Sequence, residues 1–269
     1  MTTTHKIGIT QIILGNASLD ETLNLCEEAG YEAVELTFRD GKDLHPNMTD
    51  SELADAARRC GDAGVEIASV ISASPKGGGG NLLSTDPDQR EHGVLRVRRS
   101  CEIAEALGAG ATLLHPGALP QEGTYDDAWN ALCGSLKELA PVAEESQCAV
   151  GVENVWNKFL LSPREMRQLI DEVGSEWIGA YLDTANMMAY GYTEQWIRAL
   201  GTRIKRVHFK DFKRGPHAWT RLMDGDTDWA GVMAELRAAG YSAPVIHEVG
   251  GSRDDHIETA RRMRRIVAL

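Results

Sequence analysis

The stretch Ile178–Asp211 reads IGAYLDTANMMAYGYTEQWIRALGTRIKRVHFKD. It opens on a short apolar run that ends at Asp183, passes through an amphipathic stretch, and closes on a second β-branched run carrying His208. Strand, helix and strand in that order form a βαβ unit with parallel strands. Working outward, comparable runs begin near Lys6, Ala33, Val65, Ala111, Ala149 and Pro244. Helical patterns follow them, for instance from Ser18 to Gly30, Thr49 to Gly64 and Asp88 to Gly108. Eight such units predict an α/β protein, a single (β/α)8 TIM barrel spanning residues 1–269, with reactive groups at the carboxyl ends of its strands. The punctuation agrees. Thr49-Asp50-Ser51-Glu52 and Ser162-Pro163-Arg164-Glu165 read as capped helix starts. Gly30, Gly64, Gly108, Gly174 and Gly240 stand where helices would end on a left-handed residue.

The chain of 269 residues matches the usual size of one such barrel, and 42% apolar with 25% charged residues is a globular balance. A formal charge of −12 disfavours a nucleic-acid surface and an anionic membrane. Five scattered cysteines without a CxxC pair, no basic-then-apolar leader and no long apolar span are what a reduced cytoplasmic protein would carry.

Four side chains recur at strand ends: Glu153 in AVGVEN (149–154), Asp183 in IGAYLDT (178–184), His208 in IKRVHFKD (204–211) and Glu248 in PVIHEV (244–249). Taken singly, each has an ordinary reading. Glu153 could pair with an arginine, Asp183 could cap the next helix, and His208 could be a satisfied core histidine. Taken together, three carboxylates and an imidazole at one end of a barrel form a set that a divalent ion accepts, Mn²⁺ first, or Mg²⁺, Co²⁺ or Zn²⁺. Such an ion acidifies the carbon next to a carbonyl, and two glutamates flanking that carbon can take a proton from one face and return one to the other. Glu153 and Glu248, on the fifth and eighth strands, are the candidate pair. His247 precedes Glu248 and should point to the opposite side of its strand. Arg214 is a candidate for a substrate oxygen or an ordinary loop arginine. Arg39, Lys76 and Lys213 are candidates for a phosphate or solvated surface charges. The run Pro75–Gly80 (PKGGGG) is either a lid or phosphate cradle, or a loop without chemical role.

Across nearly its whole length, and most specifically in its second half, the chain resembles the sugar phosphate isomerase/epimerase family of xylose-isomerase-like barrels. The segments that carry the resemblance are GVENVWNKFLLSPREMRQLIDEVGS (151–175), AYLDTANMMAYGYTEQWIRALGTRIKRVHFKDFK (180–213) and LMDGDTDWAGVMAELRAAGY (222–241). They are most similar to the L-ribulose-5-phosphate or L-xylulose-5-phosphate 3-epimerase branch, and more distantly to D-tagatose 3-epimerases. The resemblance implies a metal-dependent ketose 3-epimerase working through a cis-enediolate on a small sugar or sugar phosphate, as a homodimer or homotetramer. Glu153, Asp183, His208 and Glu248 would be ligands, Glu153 and Glu248 also the acid/base pair. Arg214 and Asn186 would be substrate contacts; Trp156 is a further candidate, and His115 is either a polar wall of the sugar site or a helix-packing histidine. Asn186 stands where the tagatose epimerases carry a histidine, so substrate choice departs from theirs. An aldose–ketose isomerase, an inosose-type dehydratase and a non-catalytic sugar-binding barrel remain alternatives on the same residues. Endonuclease IV shares the superfamily, and His115-Pro116-Gly117 resembles one of its zinc-binding segments. The absence of a histidine at Asn186 and in IASVIS (67–72), with Trp229 closing GDTDW, disfavours that nuclease.

Overall fold

The computed structural model describes residues 5–72 and 80–269. The run Pro75–Gly80, with Lys76, therefore lies outside the described residues apart from Gly80. Eight strands close a parallel barrel in sequential order: β1 Ile7–Thr10, β2 Ala33–Phe38, β3 Glu66–Ser72, β4 Ala111–Leu114, β5 Ala149–Glu153, β6 Ile178–Asp183, β7 Ile204–Phe209 and β8 Val245–His247. Helices surround it: α1 Leu19–Ala29, α2 Asp50–Asp62, α3 Pro87–Leu107, α4 Tyr125–Glu145, α5 Pro163–Val173, α6 Thr193–Leu200, α7 Trp229–Ala238 and α8 Arg253–Val267. Thr49 and Ser162 form reciprocal caps with Glu52 and Glu165, and Pro163 begins α5, so the starts read from sequence stand. The five helix-ending glycines all have φ between 68° and 73°.

The strands are β-branched, aromatic and buried on both faces, as a parallel sheet under helices requires. Their inner face is not uniformly apolar. Arg206 on β7 crosses the lower barrel to donate to the Ala68 carbonyl on β3 at 2.7 Å. One layer higher, Glu35, Ser69, Tyr181 and His208 meet from four different strands. Gly151 on β5 makes room for this layer, because a Cβ there would come within 2.9 Å of the Tyr181 Cβ.

Beyond β7 a short hairpin, Asp211–Lys213 with Ala218–Thr220, lies at the carboxyl end of the barrel. Buried Asp211 holds the long segment behind it. Its carboxylate accepts from the Met223 and Gly225 amides at 2.8 and 3.1 Å, from the Thr227 hydroxyl at 2.6 Å and from the Trp229 indole at 3.2 Å. Trp229, which stands where a metal-binding pair would be needed for a nuclease, is thereby a packing residue against Phe209.

Candidate metal centre

Parallel register brings the strand ends side by side. Asp183 pairs directly with His208 across β6 and β7, and Ile246 of β8 pairs with His208 on its other side. Glu153 ends β5, and Glu248 follows β8, its amide donating to the Phe209 carbonyl at 3.2 Å. One ligand atom from each of Glu153, Asp183, His208 and Glu248 falls within 4.8 Å of all the others. The His208 Nδ1 lies 3.7 Å from Glu153 and 3.4 Å from Glu248. Ligands about 2.1 Å from one ion stand roughly 3.0 Å apart at right angles and 4.2 Å apart in opposition, so this spacing suits a single ion.

Two orphaned atoms mark the place. Among the described residues, Asp183 Oδ2 and His208 Nδ1 are buried without a hydrogen-bond partner; only Thr37 Oγ1 shares that condition. Buried polar atoms are ordinarily satisfied, and an ion is one explanation for an exception. The two oxygens of Asp183 have different surroundings. Its Oδ1 accepts from the Ala185 and Asn186 amides at 2.8 and 2.7 Å, which leaves Oδ2 for the cluster. Asn154 stitches the neighbouring strand ends together, exchanging bonds with the Asp183 backbone at 2.8 and 3.0 Å.

The orientation of His208 comes from Glu35, which sequence reading did not single out. His208 Nε2 lies 2.9 Å from Glu35 Oε1. A carboxylate only accepts, so Nε2 carries a proton and Nδ1 is the atom turned toward the cluster. Tyr181 and Ser69 both donate to the second Glu35 oxygen. Burial would raise the Glu35 pKa, but His208, Tyr181 and Ser69 together hold it below the ordinary carboxylate value. The sequence signal was available: Glu35 is the one charged residue inside the apolar run AVELTF. Replacing it with Gln should preserve shape yet weaken divalent-metal affinity by about 10–100-fold, read by competition with a coloured chelator.

Electrostatics set the two glutamates apart. Burial, then the Glu248 and Asp183 charges, push Glu153 up to about 7 against the pull of His208. Burial likewise raises Asp183. Glu248 is partly buried, which would raise its carboxyl, but His208 and Lys210 hold it below the ordinary value. Lys210, a second residue sequence reading passed over, places Nζ 3.0 Å from Glu248 and 3.6 Å from Asp183.

The cluster opens into a cavity of about 440 Å³ lined in part by Glu153, Glu248, Lys210, Asn186, His115 and Trp156. Asn186 gives its amide nitrogen to the Asn154 carbonyl at 2.9 Å. Trp156 donates to the Asn186 carbonyl at 2.6 Å and packs against Trp219 of the hairpin, ring centres 4.3 Å apart. Arg214 is turned elsewhere. Its guanidinium donates to the Gly191 carbonyl at 2.6 Å and lies over the Tyr192 ring, and the residue is not among those lining this cavity. Lys210, just before the hairpin, is the cation beside the cluster. Arg39 donates toward the Gly15 carbonyl and lines another cleft, and Lys213 is exposed, so neither meets this cavity. His247 points away from the barrel axis, as alternation requires, with Nε2 3.1 Å from His256 Nδ1.

Comparison with known proteins agrees with this picture. Residues 23–266 match the family model described as a xylose isomerase-like TIM barrel. The chain is 26% identical over 249 residues to the L-ribulose 3-epimerase of Mesorhizobium japonicum, covering 88% of this chain and 78% of that one. It is 29% identical over 190 residues to a probable endonuclease 4 of Mycobacterium leprae, covering 65% and 72% respectively. A solved D-tagatose 3-epimerase-like protein superposes with a TM-score of 0.83 at 19% identity, over 98% of this chain and 97% of the other. The carbohydrate epimerase or isomerase class read from the sequence agrees with the named epimerase relatives. No helix among the described residues is long and apolar enough to cross a membrane.

Proposed function

Taking as premise that the chain belongs to the xylose isomerase-like TIM barrel family, we propose that it is a divalent-metal-dependent epimerase of the ketose 3-epimerase type. Its substrate is a small sugar or sugar phosphate. The observation that carries the reading is the cluster of Glu153, Asp183, His208 and Glu248, with two of its buried atoms unpartnered. These four residues would hold one ion, Mn²⁺ foremost. When bound, that ion polarises the ketone carbonyl and acidifies the adjacent C–H. The protein's own groups do the rest. Glu153 and Glu248, from strands separated by β6 and β7, both face the cavity. One removes the C3 proton to give the enediolate, and the other returns a proton to the opposite face. Lys210, fixed by Glu248, supplies positive charge beside the developing oxyanion. Trp156 and Trp219 form an apolar wall for the sugar and narrow the entry of water.

The nuclease relative weighs less in this reading. Among the described residues one group of acidic and histidine side chains is arranged to hold a cation, and a net charge of −12 opposes a polyanion. Incubation with a panel of ketoses should give C3 epimers by chromatography, with formation lost on chelation and restored by Mn²⁺. Epimer formation that survives exhaustive chelation would contradict the role of the metal.

A further inference from the structure

The last barrel strand, β8, ends at His247, and Glu248 is the next residue. Alternation turns the two side chains to opposite sides, so the His247 ring reaches toward α8 while Glu248 faces the cavity. The ring is fully buried and makes two hydrogen bonds. Its Nδ1 lies 3.0 Å from the Val249 amide nitrogen, which can only donate. Nδ1 therefore carries no proton, and the ring proton stands on Nε2. That Nε2 is 3.1 Å from His256 Nδ1, which accepts, so His256 carries its proton on the far nitrogen. The bonds run in one direction, from Val249 to His247 and from His247 to His256. His256 is anchored in turn on the first turn of α8. The Tyr31 hydroxyl donates to its carbonyl at 2.7 Å, and the Tyr31 ring lies nearly parallel to that of His247, centres 6.2 Å apart.

The bond from Val249 closes a turn over Glu248, as an asparagine side chain does when it accepts from the amide two residues on. Glu248 stands beyond the last ladder pair of β8 with β7. The peptide group before its Cα donates to the Phe209 carbonyl at 3.2 Å, and the peptide group after it donates to His247. Both backbone torsions of Glu248 are thereby restrained. After Val249 the chain passes through Gly250 and Gly251, which add no stiffness of their own. Lys210 holds the carboxylate but not the backbone that carries it. We propose that His247, backed by His256, is a positioning residue that fixes the Glu248 backbone and so aims its carboxylate at the metal cluster. Groups of such a site act only when held within about 0.5 Å of their working geometry. This rests on the reading of Glu248 as a metal ligand. The sequence shows His247 on the outer face of its strand; its partner, nine residues on, is brought to it by the packing of α8.

The test is competition for Mn²⁺ between the metal-free protein and a coloured chelator, well below the Tm of every variant. His247→Leu fills similar space without an acceptor and should weaken Mn²⁺ affinity about tenfold, the lower end of what ligand-orienting residues contribute. His247→Asn places an oxygen where Nδ1 stood, keeps the turn, and should stay within about threefold of the unaltered protein. His256→Leu leaves the acceptor for Val249 but frees the ring, and should fall between the two. A ring that only fills space would lower the Tm of both His247 variants and leave the affinity of the folded protein unchanged. That result overturns the inference, as does an equal loss of affinity in His247→Asn and His247→Leu. Glu248→Ala, titrated beside them, separates the two readings. Unchanged affinity there withdraws Glu248 from the ligand set and the inference with it. A loss there with none in His247→Leu removes the inference alone.

Discussion

Glu248→Gln is expected to lower turnover by about 10²–10⁴-fold at saturating Mn²⁺, the usual contribution of a positioned acid or base. The substitution keeps the volume and one acceptor but removes the group that can exchange a proton. It also deprives Lys210 of its partner at 3.0 Å and takes one negative charge from the cluster. Metal content measured alongside activity divides the two effects. A protein that recovers its metal at high Mn²⁺ but not its activity assigns the loss to proton transfer. Glu153→Gln should behave alike, because Glu153 faces the same cavity from the other side of β6 and β7. Full activity in either variant would remove the two-glutamate mechanism.

The second large effect is on stability. Three carboxylates crowded around one imidazole are costly to bury, and an ion that binds only the folded chain offsets that cost. At a thousandfold excess of Mn²⁺ over Kd the gain is about 4 kcal/mol. For a chain of this size that corresponds to a rise in Tm of roughly 10 °C. The gain should depend on pH in a definite direction. Glu153 has its pKa raised from 4.5 to about 7 in the folded protein. A group raised in this way favours the metal-free fold below about 4.5, and that contribution is lost as pH rises through about 7. A metal ion must also displace the Glu153 proton to use its oxygen. Both effects make the Mn²⁺-induced shift in Tm larger at pH 8 than at pH 6, as scanning calorimetry would read it. A shift equal at both values, or one that persists in a His208→Ala protein, would contradict the ligand set.

The barrel was legible because its signal repeats: eight apolar runs, each followed by a helical pattern, and helix ends marked by Ser, Thr and Gly. The four cluster residues were legible because each ends such a run. What escaped the sequence was of another kind. Glu35 and Tyr181 lie within strands rather than at their ends, and their meeting with His208 is made by barrel closure, which joins β2, β6 and β7 across the interior. Arg96, which lines the cavity, lies three residues after buried Gly93 and four before buried Ser100, on the buried face of α3, but its charge hid that placement. The surroundings of Arg214 were not legible for the opposite reason. Its spacing from His208 is a linear fact, whereas the hairpin between them decides where residue 214 points.

The most direct test of the central claim is deuterium uptake from D₂O into free and phosphorylated ketoses, with Mn²⁺ present and the Glu248→Gln protein as control. The account predicts label at carbon 3, appearing together with the epimer and lost in the control. Label at another carbon, or elimination of water, would contradict the epimerase and assign isomerase or dehydratase chemistry to the same metal and glutamates.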